Sequence, residues 1–335
     1  TSTGTISCSY NFNVDTSNDG IDLSTTTAET CTGDNGDYYT HPAFTFGDTQ
    51  LTGFWIGKFE LSSSNPSASY GGSTSTTLTP RILPNVVSWR SNPADNFWLV
   101  IYNMQQSNNI YGLSTSRVNT DSHMLTNMEW GAVAYLTNSN YGRCSSGSCT
   151  EVSMNNSGET SNWTSYTGRS AGLASNTEVT ANGSYEYNNL TYGVLASTTG
   201  NITGVYDMSG GEWEYVMGNE SSSTSNYTYY ASYAGSNYTY TGNEKYVTTY
   251  AYGTTSADQT AYNRARLGDA TSEVVLDEGH GWYDDYSYFV EDFSSWFVRG
   301  GDFNNGSEAG SFQFENNNGN ANNNNSARAA LVSVA

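Results

Sequence analysis

The sequence predicts a domain of the α+β class that carries large irregular insertions. Aromatic residues make up 14% of the 335 residues, including 8 Trp, which gives the chain enough buriable area for a folded core. Short aromatic segments bounded by glycines are typical of strands, and one segment has the three- and four-residue apolar spacing of a helix. Long stretches rich in Ser, Thr and Asn separate these segments and indicate loops on a single core.

The first forty residues differ in character from the rest of the chain. Residues 1–40 are predicted to form an N-terminal extension and residues 41–335 the main domain. The extension is polar, and its short alternating runs indicate edge strands or a small hairpin. Because residues 1–10 have neither a basic start nor an apolar run, the chain is expected to be a mature product.

The main domain begins and ends with predicted strands. An aromatic strand is predicted within 51–60, and further strands are predicted at 295–301 and 327–334. The clearest helix is predicted over 121–136, with Asp121 as its cap. A strand at the end of the chain is expected to bring both ends of the domain to one sheet.

Between these elements the chain is mostly polar. Residues 138–199 and 219–258 are predicted to be surface insertions with short hairpins. They enclose residues 198–216, where tight glycine turns surround a dense aromatic strand. No repeat of 20 to 50 residues emerges, so neither a solenoid nor a propeller is expected.

The charge balance excludes several classes of partner. The chain has 11 Lys and Arg against 32 Asp and Glu, a formal net charge of −21, which argues against nucleic-acid phosphates and anionic lipids as partners. No stretch approaches the roughly 20 apolar residues of a membrane span, so no membrane insertion is expected. A surface of hydroxyl and amide groups with few charges suits an extracellular location, or one on a cell or virion surface.

The cysteines fall into two local pairs, Cys8 with Cys31 and Cys144 with Cys149, which favours disulfides in a secreted chain. The alternative, a thiolate metal site, lacks histidines at ligand spacing, so zinc is not expected, and no cofactor is predicted except, as an alternative, calcium. Asn-x-Ser/Thr sequons mark candidate glycosylation sites, although a chain this rich in Asn, Ser and Thr also produces sequons by chance. The sequons are at Asn155, Asn162, Asn182, Asn189, Asn201, Asn219, Asn226, Asn237, Asn305 and Asn324.

Glycosidase-type chemistry is an alternative, because it requires two carboxylates. The sequence has two such pairs, Glu212 with Glu214 and Asp284 with Asp285. Such a pair beside a tryptophan more often accepts hydrogen bonds from turns, and no Gly-x-Ser-x-Gly motif is present. Enzyme activity is therefore not expected. Calcium is the one ion with a plausible ligand set, since Asp- and Asn-rich loops supply oxygen ligands. The candidate ligands form an acidic tract, and a solvated acidic loop explains this tract equally well. Its members are Asp277, Glu278, Asp284, Asp285, Glu291 and Asp292.

Four blocks, residues 54–60, 127–136, 204–215 and 299–328, carry a family resemblance that extends over about half of the chain. The most specific block contains Asp-Met-Ser-Gly-Gly followed by Glu-Trp-Glu-Tyr. It is similar to the Asp-Met-x-Gly-Asn and Trp-Glu-Trp signature of the formylglycine-generating sulfatase-modifying factors. The resemblance implies a C-type-lectin-like fold for residues 41–335.

The departures from this family bear on function. Gly211 stands where the family has Asn, and Tyr215 where it has the last Trp. The enzymes hold copper with a cysteine pair near the C-terminus, whereas residues 299–335 contain no cysteine. Cys144 and Cys149 lie upstream of the signature and do not take that role. Without thiolates no copper(I) site forms, so an oxidase of the formylglycine-generating type is not expected.

The C-terminal segment instead resembles a second branch of the same fold, the variable proteins of diversity-generating retroelements and related surface proteins of gut Firmicutes and phages. In that branch this segment is the ligand face, and adenine-directed mutagenesis enriches it in Asn, as in residues 302–325 here. Within 311–315 phenylalanines alternate with polar residues, so the rings are expected to face the core and the polar side chains the solvent. The alternative is a solvated Asn-rich loop.

The resemblance implies a non-enzymatic binding or display protein whose ligand is a protein or a glycan at a cell or virion surface. Short amide side chains can donate and accept hydrogen bonds at modest entropic cost. The candidate ligand-binding residues are Asp302, Asn304, Asn305, Ser307, Glu308, Ser311, Gln313 and Glu315, with Trp282 and Tyr283 as a rim.

A structural function is the second hypothesis. Tyr-rich segments within 227–240 could pack between subunits of an extracellular filament, a phage fibre or a surface coat, because aromatic residues are enriched at interfaces. Relatives often carry a pilin-type helix ahead of the domain, and none is visible in residues 1–40. Self-assembly therefore stays an alternative to ligand binding.

Overall fold

The protein is of the mixed α+β class, as predicted, and consists mostly of strands. The computed structural model describes residues 41–65, 72, 74–172, 184–221, 245–251, 266–277, 279–291 and 294–333. Within residues 1–40 it describes only the backbone of four two-residue strands, so the predicted Cys8–Cys31 disulfide lies outside the described residues.

Two larger sheets and two α-helices organise the described residues. The strands are β1 (Phe54–Ile56), β2 (Thr120–Met124), β3 (Trp213–Ser221), β4 (Thr248–Ala251), β5 (Trp296–Arg299), β6 (Phe314–Asn317), β7 (Asn325–Ala327) and β8 (Ala329–Ser333). The helices are α1 (Ala94–Tyr102) and α2 (Asn127–Thr137).

The remaining strands pair two by two. These ladders are Tyr10–Asn11 with Thr27–Ala28, Val14–Asp15 with Gly20–Ile21, Thr45–Phe46 with Thr49–Gln50, Ser62–Ser63 with Pro80–Arg81, Cys144–Ser145 with Ser148–Cys149, Gly158–Glu159 with Thr164–Ser165, Arg169–Ser170 with Tyr185–Glu186, and Val275–Asp277 with His280–Gly281.

The five-stranded sheet is built around the long strand β3. Its strand order is β4, β3, β5, β6, and β7 pairs in parallel with the first residues of β3. The smaller sheet places β8 between β2 and β1, both antiparallel to it. The last strand therefore pairs with β1, at Val332 opposite Phe54, so a strand from the early part of residues 41–335 and the last described strand lie side by side in one sheet.

The five-stranded sheet has a core cluster on each face. Tyr215 and Val298 belong to the cluster that contains α1, whereas Val216, Phe297 and Phe314 belong to the cluster that contains α2. Neighbouring residues point to opposite faces because strand side chains alternate. The two helices therefore cover opposite faces of one sheet, and side chains near Phe314 can be assigned to a face by their position in the sequence.

Helix α2 begins later than predicted. Residues Thr120–Met124 form β2, and Asp121 accepts hydrogen bonds from Arg117, Lys245 and Tyr246 instead of capping a helix. The cap is Thr126, whose hydroxyl accepts from the Glu129 amide at 3.1 Å, while Glu129 accepts from the Thr126 amide at 2.8 Å. This reciprocal pair is a capping box, and it fixes the start of α2 at Asn127.

The 9-residue helix α1 and the 11-residue helix α2 are the α-helices of the described residues. Among those residues no helix is long and apolar enough to cross a membrane. Cys144 and Cys149 face each other across a tight hairpin and form a disulfide, with their Cα atoms 3.9 Å apart.

Candidate functional site

The candidate site lies on the chain between β5 and β6. Gly300 and Gly301 follow β5 with φ angles of 86° and 72°, a region that glycine adopts at little cost. A Cβ atom on Gly301 would lie 2.7 Å from the Cβ of Ala309. Gly301 and Ala309 therefore lie side by side, and residues 302–308 form a closed loop between them before β6 begins.

Asp302 holds this loop in one conformation. Its carboxylate accepts hydrogen bonds from the Asn304 amide at 2.9 Å and from Nδ2 of Asn324 at 3.0 Å. The Asp302 amide donates to Oδ1 of Asn305 at 2.6 Å. Asp302 was predicted to face solvent, but it is buried and supports the loop instead. Asn304, Ser307 and Glu308 are exposed and Asn305 is half-buried.

Glu315 is an acidic side chain of this region that reaches solvent in part and has a raised pKa. It is half-buried on β6, and no described residue donates a hydrogen bond to its carboxylate. Burial, followed by the negative charges of Asp302 and Glu308, raises the pKa of Glu315 to about 7. The carboxylate is thus desolvated in part without a compensating donor.

Two tyrosines that the sequence analysis did not single out lie beside Glu315. The amide of Tyr288 donates to the Phe314 carbonyl at 2.9 Å, and the amide of Phe314 donates to the Tyr286 carbonyl at 3.1 Å. Burial raises the pKa of both phenols, and the charge of Glu315 raises it further. The alternation in Tyr286-Ser287-Tyr288 is the sequence signal that could have predicted an extended segment here.

Ser311 and Gln313 were predicted to face solvent, but both are buried. The Phe312 and Phe314 rings do face the core, as expected. Gln313 lies on the opposite side from the two rings but is inaccessible to solvent there as well, and its Oε1 accepts from the Gly301 amide at 3.1 Å. The Ser311 carbonyl accepts from the Trp130 indole at 2.9 Å. These two side chains are therefore not available to a ligand.

Trp282 and Tyr283 do not form a rim around Glu315. Trp282 packs against the Phe312 ring with centroids 4.9 Å apart, and the Tyr283 hydroxyl donates to Oδ1 of Asn138 at 2.7 Å. Phe312 belongs to the core cluster with α2, so both aromatics lie on the opposite side of the segment from Glu315. We define the C-terminal face as the side chains that do lie together, namely Tyr286, Tyr288, Asn304, Asn305, Ser307, Glu308 and Glu315.

The carboxylate pair Glu212 and Glu214, a candidate for glycosidase-type catalysis, is part of a buried polar network. Glu212 and Glu214 are both inaccessible to solvent. Glu214 forms an ion pair with Arg328, and Glu212 accepts from the Ser165 amide at 3.1 Å. Glu60 accepts from the Glu212 amide at 3.1 Å. These carboxylates hold turns and strands together, and none is placed to touch a substrate.

The acidic tract weighed for calcium is divided in the structure. Asp285 is buried and accepts from the Phe312 amide at 2.9 Å, whereas Asp284 is exposed and lies 3.2 Å from Nδ1 of His280. Glu278 and Asp292 lie outside the described residues. Within the described ranges no three His, Cys, Asp or Glu side chains are arranged to hold a metal ion.

The sequons differ in their access to solvent. Asn155 and Asn219 are buried, and Nδ2 of Asn155 donates to the Tyr166 carbonyl and to Asp207, both at 2.8 Å. A glycan on either would require the folded site to open, so they are removed as candidates. Asn201 is exposed, while Asn162 and Asn189 are half-buried. The predicted sites at Asn182, Asn226 and Asn237 lie outside the described residues.

Two comparisons with known proteins gave no match. The sequence matches no protein-family model, and a search of curated proteins finds no significant match.

Proposed function

We propose that the chain is a non-enzymatic binding or display protein that acts outside the cell or on a virion and recognises a protein or glycan through its C-terminal face. The observation that carries this proposal is Glu315. A carboxylate that loses solvent without gaining a donor destabilises the fold. A ligand that donates hydrogen bonds or carries positive charge would compensate for that cost, and such uncompensated groups are concentrated at functional sites.

The loop around Glu315 suits recognition because it is already ordered. Asp302 and Asn305 fix the backbone, while Asn304, Ser307 and Glu308 keep their side chains in solvent. A preformed loop loses less conformational entropy on binding than a flexible one. Tyr286 and Tyr288 add aromatic surface with a polar end, the side-chain type that binding surfaces favour.

A C-type-lectin-like framework is part of the same proposal. It is supported by the pairing of β8 with β1, which places an early strand beside the last described strand, and by the position of the signature segment at the start of the central strand β3. In that framework the segment between β5 and β6 is the ligand face. We propose that recognition there involves neither covalent chemistry nor a metal.

The test is binding to protein and glycan arrays, followed by affinity measurement for each ligand found. We expect Asn304→Ala, Glu308→Ala and Glu315→Gln each to lower affinity, with at least a tenfold loss for Glu315→Gln. Stability should not fall in Glu315→Gln, since the substitution removes an unpaired charge. Glu159→Gln changes the same charge at an exposed site on another ladder and should bind normally. Unchanged affinity in all three variants would refute the proposed face.

A structural subunit is the second candidate, and one exposed side chain favours it. Trp55 on β1 is 71% exposed and borders an apolar groove of about 290 Å³ that Ile82, Leu113 and Leu331 also line. Apolar surface of this kind is typical of contacts between subunits. Filaments visible by electron microscopy in the wild type and absent in Trp55→Ser would support assembly. A monomer by sedimentation at high concentration would exclude it.

A further inference from the structure

A cleft lies at the start of α2 and shares no lining residue with the C-terminal face. Its volume is about 320 Å³, within the range of roughly 300–1,000 Å³ typical of small-molecule sites. One wall is the turn before and within the Thr45–Phe46 ladder, and another is the first turn of α2. Lys245, Thr248 and Arg266 complete the lining.

The cleft is cationic in a strongly acidic protein. It contains two of the 11 Lys and Arg residues of a chain with net charge −21. Glu129 is the single carboxylate among the described lining residues. The positive end of the α2 dipole adds to the two cations, since Thr126, Met128 and Glu129 in its first turn line the same space.

The carboxylates around the cleft already have partners. Glu129 lies 3.0 Å from Nε2 of His123, which is fully buried. Burial lowers the pKa of His123, but the charge and hydrogen bond of Glu129 outweigh it and raise the pKa overall, which favours a protonated partner for Glu129. Asp121 behind the cleft is shared between Arg117 and Lys245, with Nζ of Lys245 at 3.0 Å. An anion that enters therefore meets carboxylates that are already neutralised in part.

Lys245 is positioned by its surroundings. Its ammonium lies 4.3 Å from the centroid of the Phe46 ring and 4.9 Å from that of Tyr246, distances at which a cation is attracted to an aromatic face. Together with its bond to Asp121, these contacts hold the ammonium at the cleft wall. A ligand that binds there does not have to order a flexible lysine first.

We propose that this cleft binds a small organic anion, a carboxylate or a sulfate ester on a hydroxyl-bearing body such as an acidic monosaccharide. Lys245 and Arg266 would pair with the anionic group. The hydroxyls of Thr45 and Thr248, which line the cleft, supply hydrogen-bonding groups for the body of the ligand. This site does not depend on the C-terminal face, and its ligand is distinct from the one recognised there.

The test uses the whole chain and isothermal titration with three probes. N-acetylneuraminic acid represents the carboxylate, galactose 6-sulfate the sulfate ester, and the methyl ester of the first sugar is its neutral counterpart. We expect at least one anionic sugar to bind at least tenfold more tightly than the methyl ester. Its affinity should fall several-fold when NaCl is raised from 20 to 200 mM. Which of the two sugars binds identifies the anionic group.

The variants Arg266→Met and Lys245→Met/Arg266→Met are expected to lower affinity at least tenfold. Arg81→Met, which removes a cation from the Ser62–Ser63 and Pro80–Arg81 ladder, should bind as the wild type does. Arg266→Met alone keeps the test valid if the double variant fails to fold. The proposal is overturned if neither sugar binds, if the methyl ester binds equally well, if inorganic sulfate alone binds, or if folded Arg266→Met keeps full affinity.

Discussion

Arg328 shows how much of this fold depends on individual buried polar side chains. Its guanidinium donates to the Gly57 carbonyl at 2.8 Å, to the Tyr206 carbonyl at 2.9 Å and to Glu214 at 2.9 Å. One side chain thus connects the end of β1, the segment at Tyr206 and strand β3. Because Arg328 and Glu214 are both inaccessible to solvent, neither charge can be hydrated if the other is removed.

Arg328→Met should therefore destabilise the protein by about 3–5 kcal/mol, the usual cost of removing one partner of a buried ion pair. The measurement is urea unfolding followed by tryptophan fluorescence. Arg169→Met is the matched control, because Arg169 pairs with the exposed Glu186 at 3.9 Å, and surface pairs contribute about 0–1 kcal/mol. Equal losses in both variants would show that burial does not govern the strength of these pairs.

Position 211 has little room for any side chain. Its φ is +83°, and a Cβ atom built on it would lie 2.8 Å from Oε1 of Glu60. Asparagine tolerates positive φ better than most residues, but its Cβ would displace the Glu60 carboxylate, which the Ser88 hydroxyl and the Glu212 amide hold in place. We expect Gly211→Asn to cost about 1–3 kcal/mol.

The control for Gly211 is Gly112→Asn. Gly112 has a φ of +69° with nothing within 4 Å of a built Cβ, so this variant tests the backbone strain without the close contact. Its cost in free energy of unfolding should stay below about 1 kcal/mol. If the two asparagine variants were equally destabilised, contact with Glu60 would not be the reason for glycine at 211.

Among the secondary-structure elements, α2 depends most clearly on its N-cap residue, Thr126. Thr126→Ala removes the hydroxyl that accepts from the Glu129 amide, and it frees Glu129 from one of its anchors. We expect a loss of about 1 kcal/mol in the free energy of unfolding, together with faster amide exchange in the first turn of α2. Thr115→Ala alters an exposed threonine and should change stability by less than about 0.5 kcal/mol. Protection of the first turn that is unchanged in Thr126→Ala would contradict the capping assignment.

The elements with a strong local signal were predictable from the sequence. The segments 51–60, 198–216 and 295–301 each contain a strand, because aromatic and β-branched residues bounded by glycine indicate strands. The start of α2 was predicted too early, because residues 121–124 fit a helical spacing, whereas their pairing with β8 makes them part of strand β2. Helix α1 was not predicted. No side chain caps it at Pro93, and its stability depends on packing of Phe97 and Ile101.

For the candidate site, local alternation was informative and long-range folding was not. The burial of Phe312 and Phe314 followed from the alternating pattern. The burial of Gln313 accompanies a contact with the Gly301 amide, which is not encoded in the spacing of 311–315. Tyr286 and Tyr288 join Glu315 through pairing between distant segments, which a single sequence does not display.

Across the whole molecule, burial raises the pKa of every carboxyl group whose shift is resolved among the described residues. Desolvation is the largest cause in each case. The pKa is raised to about 7 for Asp95, Glu214 and Glu315 and to about 8 for Glu273. The pKa is also raised for Glu60, Asp207, Glu212, Asp269, Asp285 and Asp302. This common direction makes the stability of the protein depend on pH.

The sign of that dependence follows from proton linkage. A carboxyl group whose folded pKa exceeds its unfolded value of about 4 holds its proton more tightly in the folded state. Its contribution to stability is complete below pH of about 4 and is lost as the pH rises through the folded value, here about 7 to 8. The lowered pKa of His41, caused mainly by burial, acts in the opposite direction but is a single group. The net charge of −21 adds repulsion that also weakens as the pH falls.

The protein should therefore be more stable at pH 5.5 than at pH 8, the reverse of what salt-bridged carboxylates with lowered pKa values would give. One unit of differential shift in one group corresponds to about 1.4 kcal/mol, and about 1 kcal/mol moves the Tm of a domain this large by roughly 2 °C. We expect Tm to be higher at pH 5.5 by at least about 5 °C in calorimetry at constant ionic strength. Glu273→Gln provides the internal check, because Oε1 of Glu273 accepts from the Gly268 and Ala270 amides and a glutamine oxygen can do the same. That variant should lose part of the pH dependence without losing stability at pH 8, whereas a Tm that rises from pH 5.5 to pH 8 in the wild type would show that these carboxyl groups are ionised in the folded protein.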